Sequence, residues 1–445
     1  MAAGHRVAMR SVLEGHEHAG TLTQIETSGA ELDANTVLTL GLGVTPPWRL
    51  VSQRLDTDKQ PHELHLEVAA DRGSHFPCST CGKPCRAHDF AEFTWRHLNF
   101  FQHHCYITAK VPRTDCTEHG VLRIAVPWAR EGSRFTLLFE QAALMLVREM
   151  PVLAAARIIE ITDKRLWRIV EHYVGQAVER LDLSKLAAMA LDETAAKRGH
   201  TYVTVFIDLD RRDKPVVFVT PGRGKATVAK FRAFLAEHRG APGRIAEVVC
   251  DMSGAFIAAV GESFENATVT VDWFHVVQLF TKAVDEVRRA ETKQNKLPKA
   301  LRWAVLKRAD GHLTEAQAAA LAELEVSDLF TAIAWRIKEK LRWVRQAQSA
   351  QAARWRLTSF LRHAGELLDP APLLDPVRKA LATVEAHSKR ILQRWASSHS
   401  NARLEGLNGL FQAARARARG YRNSNTFATI IYLIAAPLGD LIKSI

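Results

Sequence analysis

The stretch from Met189 to Asp272 constrains the fold more than any other part of the chain. It holds three β-rich runs: Met189-Ala-Leu-Asp192, Tyr202-Val-Thr-Val-Phe-Ile-Asp208 and Pro215-Val-Val-Phe-Val-Thr220. The second and third are joined by Asp210-Arg-Arg-Asp213-Lys, a polar turn of the kind that closes a hairpin. A helical pattern follows from Lys225 to Arg239, with Val228, Phe231, Phe234 and Leu235 on one face. Ile245-Ala-Glu-Val-Val-Cys250 then leads into Asp251. A short helix over Ser253 to Glu262 separates it from Ala267-Thr-Val-Thr-Val271, which leads into Asp272. This order predicts an antiparallel meander of three strands, then two parallel strands reached through helical crossovers. Asp192 lies on the first strand and Asp251 at the end of the fourth. If those strands are neighbours, two carboxylates meet at one end of the sheet.

With 445 residues the chain is too long for one core, so several domains are expected. A hydrophobic content of 47% and a charged content of 24% fit a soluble globular protein. The net charge of +12 points to a polyanion partner, most simply nucleic acid, or to a merely basic enzyme. Six cysteines, clustered, do not make a disulfide framework, and no secretory leader is evident. The apolar end from Ile430 to Ile442 is interrupted by Pro437 and Asp440 and is too short to span a bilayer. A reducing cytoplasm and no membrane partner are expected.

Residues 1–36 are polar and aperiodic and read as a poorly ordered leader. From Val37 to Pro127 the pattern is β-like, in Val37-Leu-Thr-Leu-Gly-Leu, Trp48-Arg-Leu-Val-Ser and His65-Leu-Glu-Val-Ala. Within it, Cys78-Ser-Thr-Cys81-Gly offers two thiolates to one tetrahedral ion, and Cys116-Thr-Glu-His119 supplies two more ligands. Strands at Phe93-Thr-Trp-Arg and Cys105-Tyr-Ile-Thr-Ala-Lys fill the gap between the pairs. Cys85 and Cys105 stand as substitute ligands, His103 and His104 as weaker ones; unrelated buried cysteines are the alternative.

From Arg134 the pattern is helical. Pro151 opens a helix over Val152 to Glu160, Ile161-Thr162 breaks it, and Asp163 begins another carrying Lys164, Arg165, Trp167 and Arg168. The spacing fits a helix-turn-helix and an ordinary helical hairpin equally well. After Val277 strands disappear. From Gln278 to Ala396 the chain has helical period, with basic residues crowding Lys282 to Arg302. Trp303, Trp335, Trp343, Trp355 and Trp395 are expected mostly in a helix-bundle core. Near the end, Ser400 or Asn401 caps a helix whose first turns hold Glu405. Arg415 and Arg419 then fall one turn apart on one face. Returning to the sheet, this helix brings Glu405 beside Asp192 and Asp251. Taken alone, Glu405 is a glutamate favoured by the helix dipole.

Four features together resemble the DDE transposases of bacterial insertion sequences, specifically the ISL-three group. They are the Cys-x2-Cys and Cys-x2-His pairs with Pro127-Trp128-Ala; Leu191-Asp192-Glu193; Cys250-Asp251-Met252-Ser253; and Ser400-Asn-Ala-Arg-Leu-Glu405-Gly-Leu-Asn. Asp272-Trp-Phe-His275 also resembles an element that follows the second aspartate in several transposase families. The resemblance implies a multidomain α+β protein with a zinc-binding β module, a helix-turn-helix and a ribonuclease H-like α/β catalytic core interrupted by an all-helical insertion. The expected boundaries are a leader (1–36), the zinc module (37–133), the helix-turn-helix (134–183), a first core segment (184–280), the insertion (281–396) and a second core segment (397–445).

Asp192, Asp251 and Glu405 are implied as the acidic triad for two Mg²⁺ ions, with Mn²⁺ as substitute, and Asp272 and His275 stand behind them. Structural zinc is expected on Cys78, Cys81, Cys116 and His119. Lys164, Arg165, Arg168, Arg415 and Arg419 are the candidates for DNA contact. The implied activity is cleavage at transposon ends by water, then attack of the freed 3′-hydroxyl on target DNA, by a homodimer or higher oligomer in the bacterial cytoplasm, at the nucleoid when bound to DNA. The alternatives are a zinc-containing DNA-binding regulator without activity and a ribonuclease H-like nuclease or resolvase.

Overall fold

The computed structural model describes residues 34–197, 199–307, 313–368, 371–397, 399 and 402–438. The leader expected over residues 1–36 falls almost wholly outside them, as do Ser400 and Asn401. The chain divides into two compact units, one ending at Phe139 and the other beginning at Glu140.

The first unit runs through α1 (Ala34–Gly41), β1 (Trp48–Asp56), β2 (Glu63–Ala70), β3 (Phe76–Pro77), β4 (Pro84–Cys85), β5 (Ala87–Phe100), β6 (His103–Cys116) and β7 (Gly120–Arg123). Its main sheet has the order β1-β2-β6-β5, with β7 also on β6, while β3 and β4 form a separate ribbon. Alternation decides which residues go inside: Leu64, Leu66 and Val68 of β2 and Cys105, Ile107, Ala109 and Val111 of β6 are buried. Trp48 and Trp95 meet Trp128 edge to face, with ring centroids 5.0 and 5.6 Å away. Val37 to Leu42 is not a strand. The segment is helical because Leu38 and Leu42, one turn apart, both pack on this core.

The second unit carries most of α2 (Leu137–Glu149), then α3 (Val152–Ile158) and α4 (Asp163–Glu179). Leu166, Ile169, Val170, Tyr173 and Val174 bury one face of α4. The Tyr173 hydroxyl donates to the buried Glu140 carboxylate at 2.6 Å. Between α3 and α4 the chain turns at Glu160 (φ 55°), and the Ile161 amide donates back to the Ala156 carbonyl.

A five-stranded sheet follows: β8 (Ala188–Lys197), β9 (Thr201–Asp208), β10 (Val216–Pro221), β11 (Glu247–Cys250) and β12 (Thr268–Val271). It has α5 (Lys225–Glu237) and α6 (Gly254–Ser263) as connections. Its order is β10-β9-β8-β11-β12. β8, β9 and β10 are antiparallel neighbours; β11 runs parallel to β8 and β12 parallel to β11. The meander and the two parallel additions are as read from the hydrophobic pattern; the pairing of β11 with β8, which the pattern left open, meets the condition for two carboxylates to come together. Met189 and Leu191 of β8 join Val228, Phe231, Leu235 and Val260 of α5 and α6 in one apolar core.

From α7 to α13 the described residues form no strand: α7 (Trp273–Thr292), α8 (Lys299–Leu306), α9 (Glu315–Glu325), α10 (Phe330–Arg345), α11 (Ala350–Glu366), α12 (Asp375–Ala386) and α13 (Ser388–Leu392). α7 is the axis, packed against α8, α10 and α12. At its end the buried Glu291 carboxylate accepts from the Phe330 and Thr331 amides at 2.9 and 2.8 Å, capping α10 with a charge that is itself satisfied. Of the five tryptophans expected mostly in the core, Trp335 is buried and Trp395 half-buried, but Trp303, Trp343 and Trp355 are 52%, 37% and 64% exposed. Helical period placed them on helices; only the neighbours decide which face is covered.

α14 (Ala402–Arg417) and α15 (Ser424–Ala435) return to the sheet, α14 against β8 and α15 against β10. Arg419 does not extend the Arg415 face. α14 ends at Arg417, Arg419 turns at φ 56°, and the Gly420 amide donates to the Arg415 carbonyl at 2.8 Å. The glycine completes a helix-ending turn that swings Arg419 out of line.

Candidate functional site

Register builds the acidic site. Val249 of β11 lies opposite Ala190 of β8 on one side and Thr270 of β12 on the other. Two residues on from each stand Asp251, Asp192 and Asp272. Three adjacent parallel strands therefore carry aspartates at the same offset, Asp251 and Asp272 just past the ends of β11 and β12 and Asp192 midway along β8, and a side-chain period of two sends them to the same side of the sheet. Asp251 accepts from the Ser253 amide at 2.9 Å, and Asp192 from the Glu193 amide at 2.7 Å. Asp272 is buried and caps α7 through the Phe274 amide.

One face of α14 closes over β8. Glu405, Asn408, Gln412 and Arg415 recur at three- and four-residue steps. Glu405 shares a hydrogen bond with Asp272. Asn408 Nδ2 donates to Asp192 Oδ2 at 2.9 Å. Gln412 Nε2 donates to Thr194 Oγ1 at 2.7 Å and to the Ala195 carbonyl at 3.0 Å, and Arg415 donates to the same carbonyl at 2.8 Å. Arg415, nominated for DNA, is thus held in the helix–sheet packing. Asn408 and Gln412 were missed in the sequence, although their spacing from Glu405 was the available signal. The Oδ1 atom of Asn408 is buried with no protein partner.

His275 stands among the carboxylates, its Nε2 3.9 Å from Asp192 and its Nδ1 3.3 Å from Asp272. The Nδ1 contact is one of charge and distance, without hydrogen-bond alignment. Burial pushes Asp192 up to about 6, aided by the charges of Asp251 and Asp272 and opposed by His275. Burial, then the Asp272 charge, pushes Glu405 up to about 7, while the neighbouring His275 imidazole and the Glu405 carboxyl hold Asp272 low against its own burial. The cluster is short of positive charge. A groove of about 600 Å³ beside it is lined by Asp251, Ser253, His275, Gln278, Lys282 and Asp285.

The first unit holds a second cluster. The β3–β4 ribbon presents Cys78 and Cys81, and the end of β6 presents Cys116 and His119; their ligand atoms lie within 4.8 Å of one another, the one such set among the described residues. Cys81 and Cys116 sulfurs are 3.8 Å apart, and His119 Nδ1 is 3.6 Å from Cys116 and 3.9 Å from Cys78. A tetrahedral ion with sulfur ligands at about 2.3 Å sets them about 3.8 Å apart, so the spacing fits zinc. Backbone amides of Glu118 and His119 hold the Cys116 thiol down to about 7. Cys105 is instead a core thiol, raised to about 11 by burial, and Cys85 donates to the Lys83 carbonyl. His103 and His104 begin β6, outside the cage. On α4, Lys164, Arg165 and Arg168 are exposed.

A Cys3His cage, two helices around a tight turn and a mixed sheet gathering carboxylates at one end have the layout of a transposase. Residues 189–431 match the DDE model described as "Transposase". Residues 124–174 match "Helix-turn-helix domain of transposase family ISL3", which decides between the two readings of α3 and α4. Residues 74–119 match "zinc-finger of transposase IS204/IS1001/IS1096/IS1165". The chain belongs to the ISL3 family of insertion-sequence transposases. It is similar to the "Transposase for insertion sequence element IS1557" of Mycobacterium tuberculosis, 29% identical over 298 residues that make up 60% of this chain and 66% of that protein. It is also similar to the "Transposase for insertion sequence element IS1001" of Bordetella parapertussis, 27% identical over 362 residues, 79% of this chain and 86% of the relative. The match to the first thus spans just under two thirds of that relative's length. Among the described residues no helix is long and apolar enough to cross a membrane.

Proposed function

We propose that this protein cuts DNA at the ends of its insertion sequence and joins the freed 3′-ends to target DNA, with Asp192, Asp251 and Glu405 as its acidic triad. The observation that carries this reading is the meeting of aspartates from adjacent parallel strands with a glutamate delivered from a helix more than a hundred residues later. We take the sheet as ribonuclease H-like, with residues 184–280 and 397–445 as its two segments and 281–396 as a helical insertion. Residues 37–133 are the zinc module and 134–183 the DNA-reading domain.

The acidic residues fit hard divalent ions: the donors are all oxygen, burial leaves Asp192 and Glu405 reluctant to ionise alone, and Asn408 Oδ1 faces the cluster's side of α14 unpaired. Bound Mg²⁺, or Mn²⁺ in its place, supplies the Lewis acidity for in-line displacement at phosphorus. Asp192, Asp251 and Glu405 would hold these ions, with Asp192 placed between the other two. Asn408 orients Asp192 by its 2.9 Å hydrogen bond. Asp272 positions His275 and shares a hydrogen bond with Glu405, which would have to be ionised to hold a divalent ion. The cage at Cys78, Cys81, Cys116 and His119 is structural, since four protein ligands leave no open position. Lys164, Arg165 and Arg168 contact the element's ends, and Arg419, free of the α14 face, adds a phosphate contact. The protein acts as a homodimer or higher oligomer in the bacterial cytoplasm, on the nucleoid when bound.

Incubation with cognate end DNA and Mg²⁺, followed by mapping of the cut ends, tests the triad. Asp192→Asn, Asp251→Asn and Glu405→Gln are each expected to keep the fold and end binding while losing cleavage and joining. Retained cleavage in Glu405→Gln together with its loss in Asp272→Asn would move the third role to Asp272.

A further inference from the structure

The helical region carries aromatic surface that the fold does not use. Arg-Trp pairs occur at 302–303, 342–343, 354–355 and 394–395. Two of them, at the end of α10 and the start of α11, meet in space. The Trp343 and Trp355 rings lie edge to face with centroids 5.4 Å apart, and the Arg356 guanidinium stands 5.4 Å over the Trp343 ring while donating to the Trp343 carbonyl at 2.8 Å. Single exposed apolar side chains are ordinary, but two indoles in contact at the surface make a contiguous apolar patch, the kind that marks an interaction site.

The charge around the pair has one sign. Residues 340–365 hold six lysines and arginines and no acid. Glu339 lies just outside this run and pairs with Lys338 and Arg342. The patch is also tied to the acidic site through a short chain of contacts. Trp273, the residue after Asp272, meets Trp395 edge to face at 5.7 Å. Trp395 Nε1 donates to the Ala347 carbonyl at 2.9 Å, two residues from Arg345 and four from Trp343. Arg394 feels the charge of Arg345 on one side and of Asp272 and Glu405 on the other. Cations therefore lead from the tryptophan pair to the carboxylates.

We propose that Trp343 and Trp355, with Arg345, Arg354 and Arg356, form a stacking platform for an unpaired nucleobase of the DNA strand that enters the acidic site. Every base offers a π-face to an indole, and arginines beside it neutralise the adjoining phosphates, so the chemistry selects single-stranded DNA over duplex without reading sequence. A duplex keeps its bases stacked on each other and presents only phosphates to this surface. The proposal rests on the DNA-cutting reading for its setting, but its own prediction is one of binding.

The test uses the full-length protein and two probes, a single-stranded oligodeoxythymidine and a duplex with an unpaired 2-aminopurine overhang. The double variant Trp343→Ala/Trp355→Ala is expected to lose affinity for the oligodeoxythymidine by about five- to a hundredfold. It should bind fully paired duplex as the wild type does and should no longer quench the 2-aminopurine. Trp355→Phe should retain most of the binding, and Arg354→Glu should weaken it without touching packing, so a folding defect in the double variant leaves the question answerable. Unchanged single-strand affinity in the variants, or no quenching by the wild type, overturns the proposal. So does a loss of self-association in sedimentation with no change in single-strand binding, which would make the patch a contact between copies. Asp192→Asn is expected to bind and quench normally. A wild type that stacks the base but never cuts DNA in Mg²⁺ would sink the catalytic reading and leave this one standing.

Discussion

At the scale of single residues, the acidic cluster couples protonation to stability. A carboxyl whose folded value is raised stabilises the fold fully below its unfolded value of about 4, and that stabilisation is lost as pH rises through the folded value. For Asp192 the loss runs from about 4 and is largely complete near 6, and for Glu405 it extends to near 7. For Asp192 it amounts to about 2–3 kcal/mol; Glu405 is more exposed and water screens it. Without divalent ions, the urea midpoint should therefore fall between pH 5 and pH 8, and Asp192→Asn should flatten the fall. Mg²⁺ should raise the midpoint more at pH 8 than at pH 5. Equal effects of Mg²⁺ at both pH values would mean that the ion binds elsewhere. Asn408→Leu removes the donor on Asp192 and, if Asn408 orients that ligand, should weaken Mg²⁺ binding in calorimetry while leaving affinity for duplex DNA unchanged.

At the scale of elements, the β3–β4 ribbon is only two residues wide on each side and cannot hold itself together by hydrogen bonds. A metal at Cys78, Cys81, Cys116 and His119 would tie it to the end of β6. Metal analysis is expected to find one zinc per chain, lost in Cys116→Ser and kept in Cys105→Ala and Cys85→Ala. Zinc retained in Cys116→Ser and lost in Cys85→Ala would reassign the cage. On α4 the buried face is apolar and the opposite face carries Lys164, Arg165 and Arg168 in the first two turns. Removing Arg165 or Arg168 should weaken end binding and lower the slope of log affinity against log salt by about one each. A variant that loses affinity with no change in slope would be making a base contact or a packing contact instead.

At the scale of the whole molecule, the net charge of +12 makes attraction to any duplex strong at low salt. Discrimination between the element's ends and scrambled DNA should therefore emerge as salt is raised, measured as a ratio of affinities at fixed ionic strength. A ratio that stays at one throughout would leave only non-specific attraction and would count against end recognition by α4. The regulator without chemistry is a poorer reading of the whole chain, because a binding protein gains nothing from gathering carboxylates that repel DNA.

What the sequence determines by itself is whatever depends on neighbours along the chain. The meander and its two parallel additions follow from β-rich runs, a polar turn and helical crossovers, whereas the common offset of Asp192, Asp251 and Asp272 waits on the pairing of β11 with β8 and β12. The Cys3His cage was legible because tetrahedral coordination demands pairs of ligands at short spacing. What only the tertiary structure decided depends on distant partners. Val37 to Leu42 has the composition of a strand and becomes a helix because Leu38 and Leu42 find the same core. Trp343 and Trp355 have the period of core residues and remain outside because no helix among the described residues covers them. Glu405 and Asp272 share a hydrogen bond, and Asn408 reaches Asp192, across more than a hundred residues of chain. Local pattern sets the state of a backbone segment within a few residues; burial and charge pairing are sums over contacts in space, and those exist only once the chain has folded.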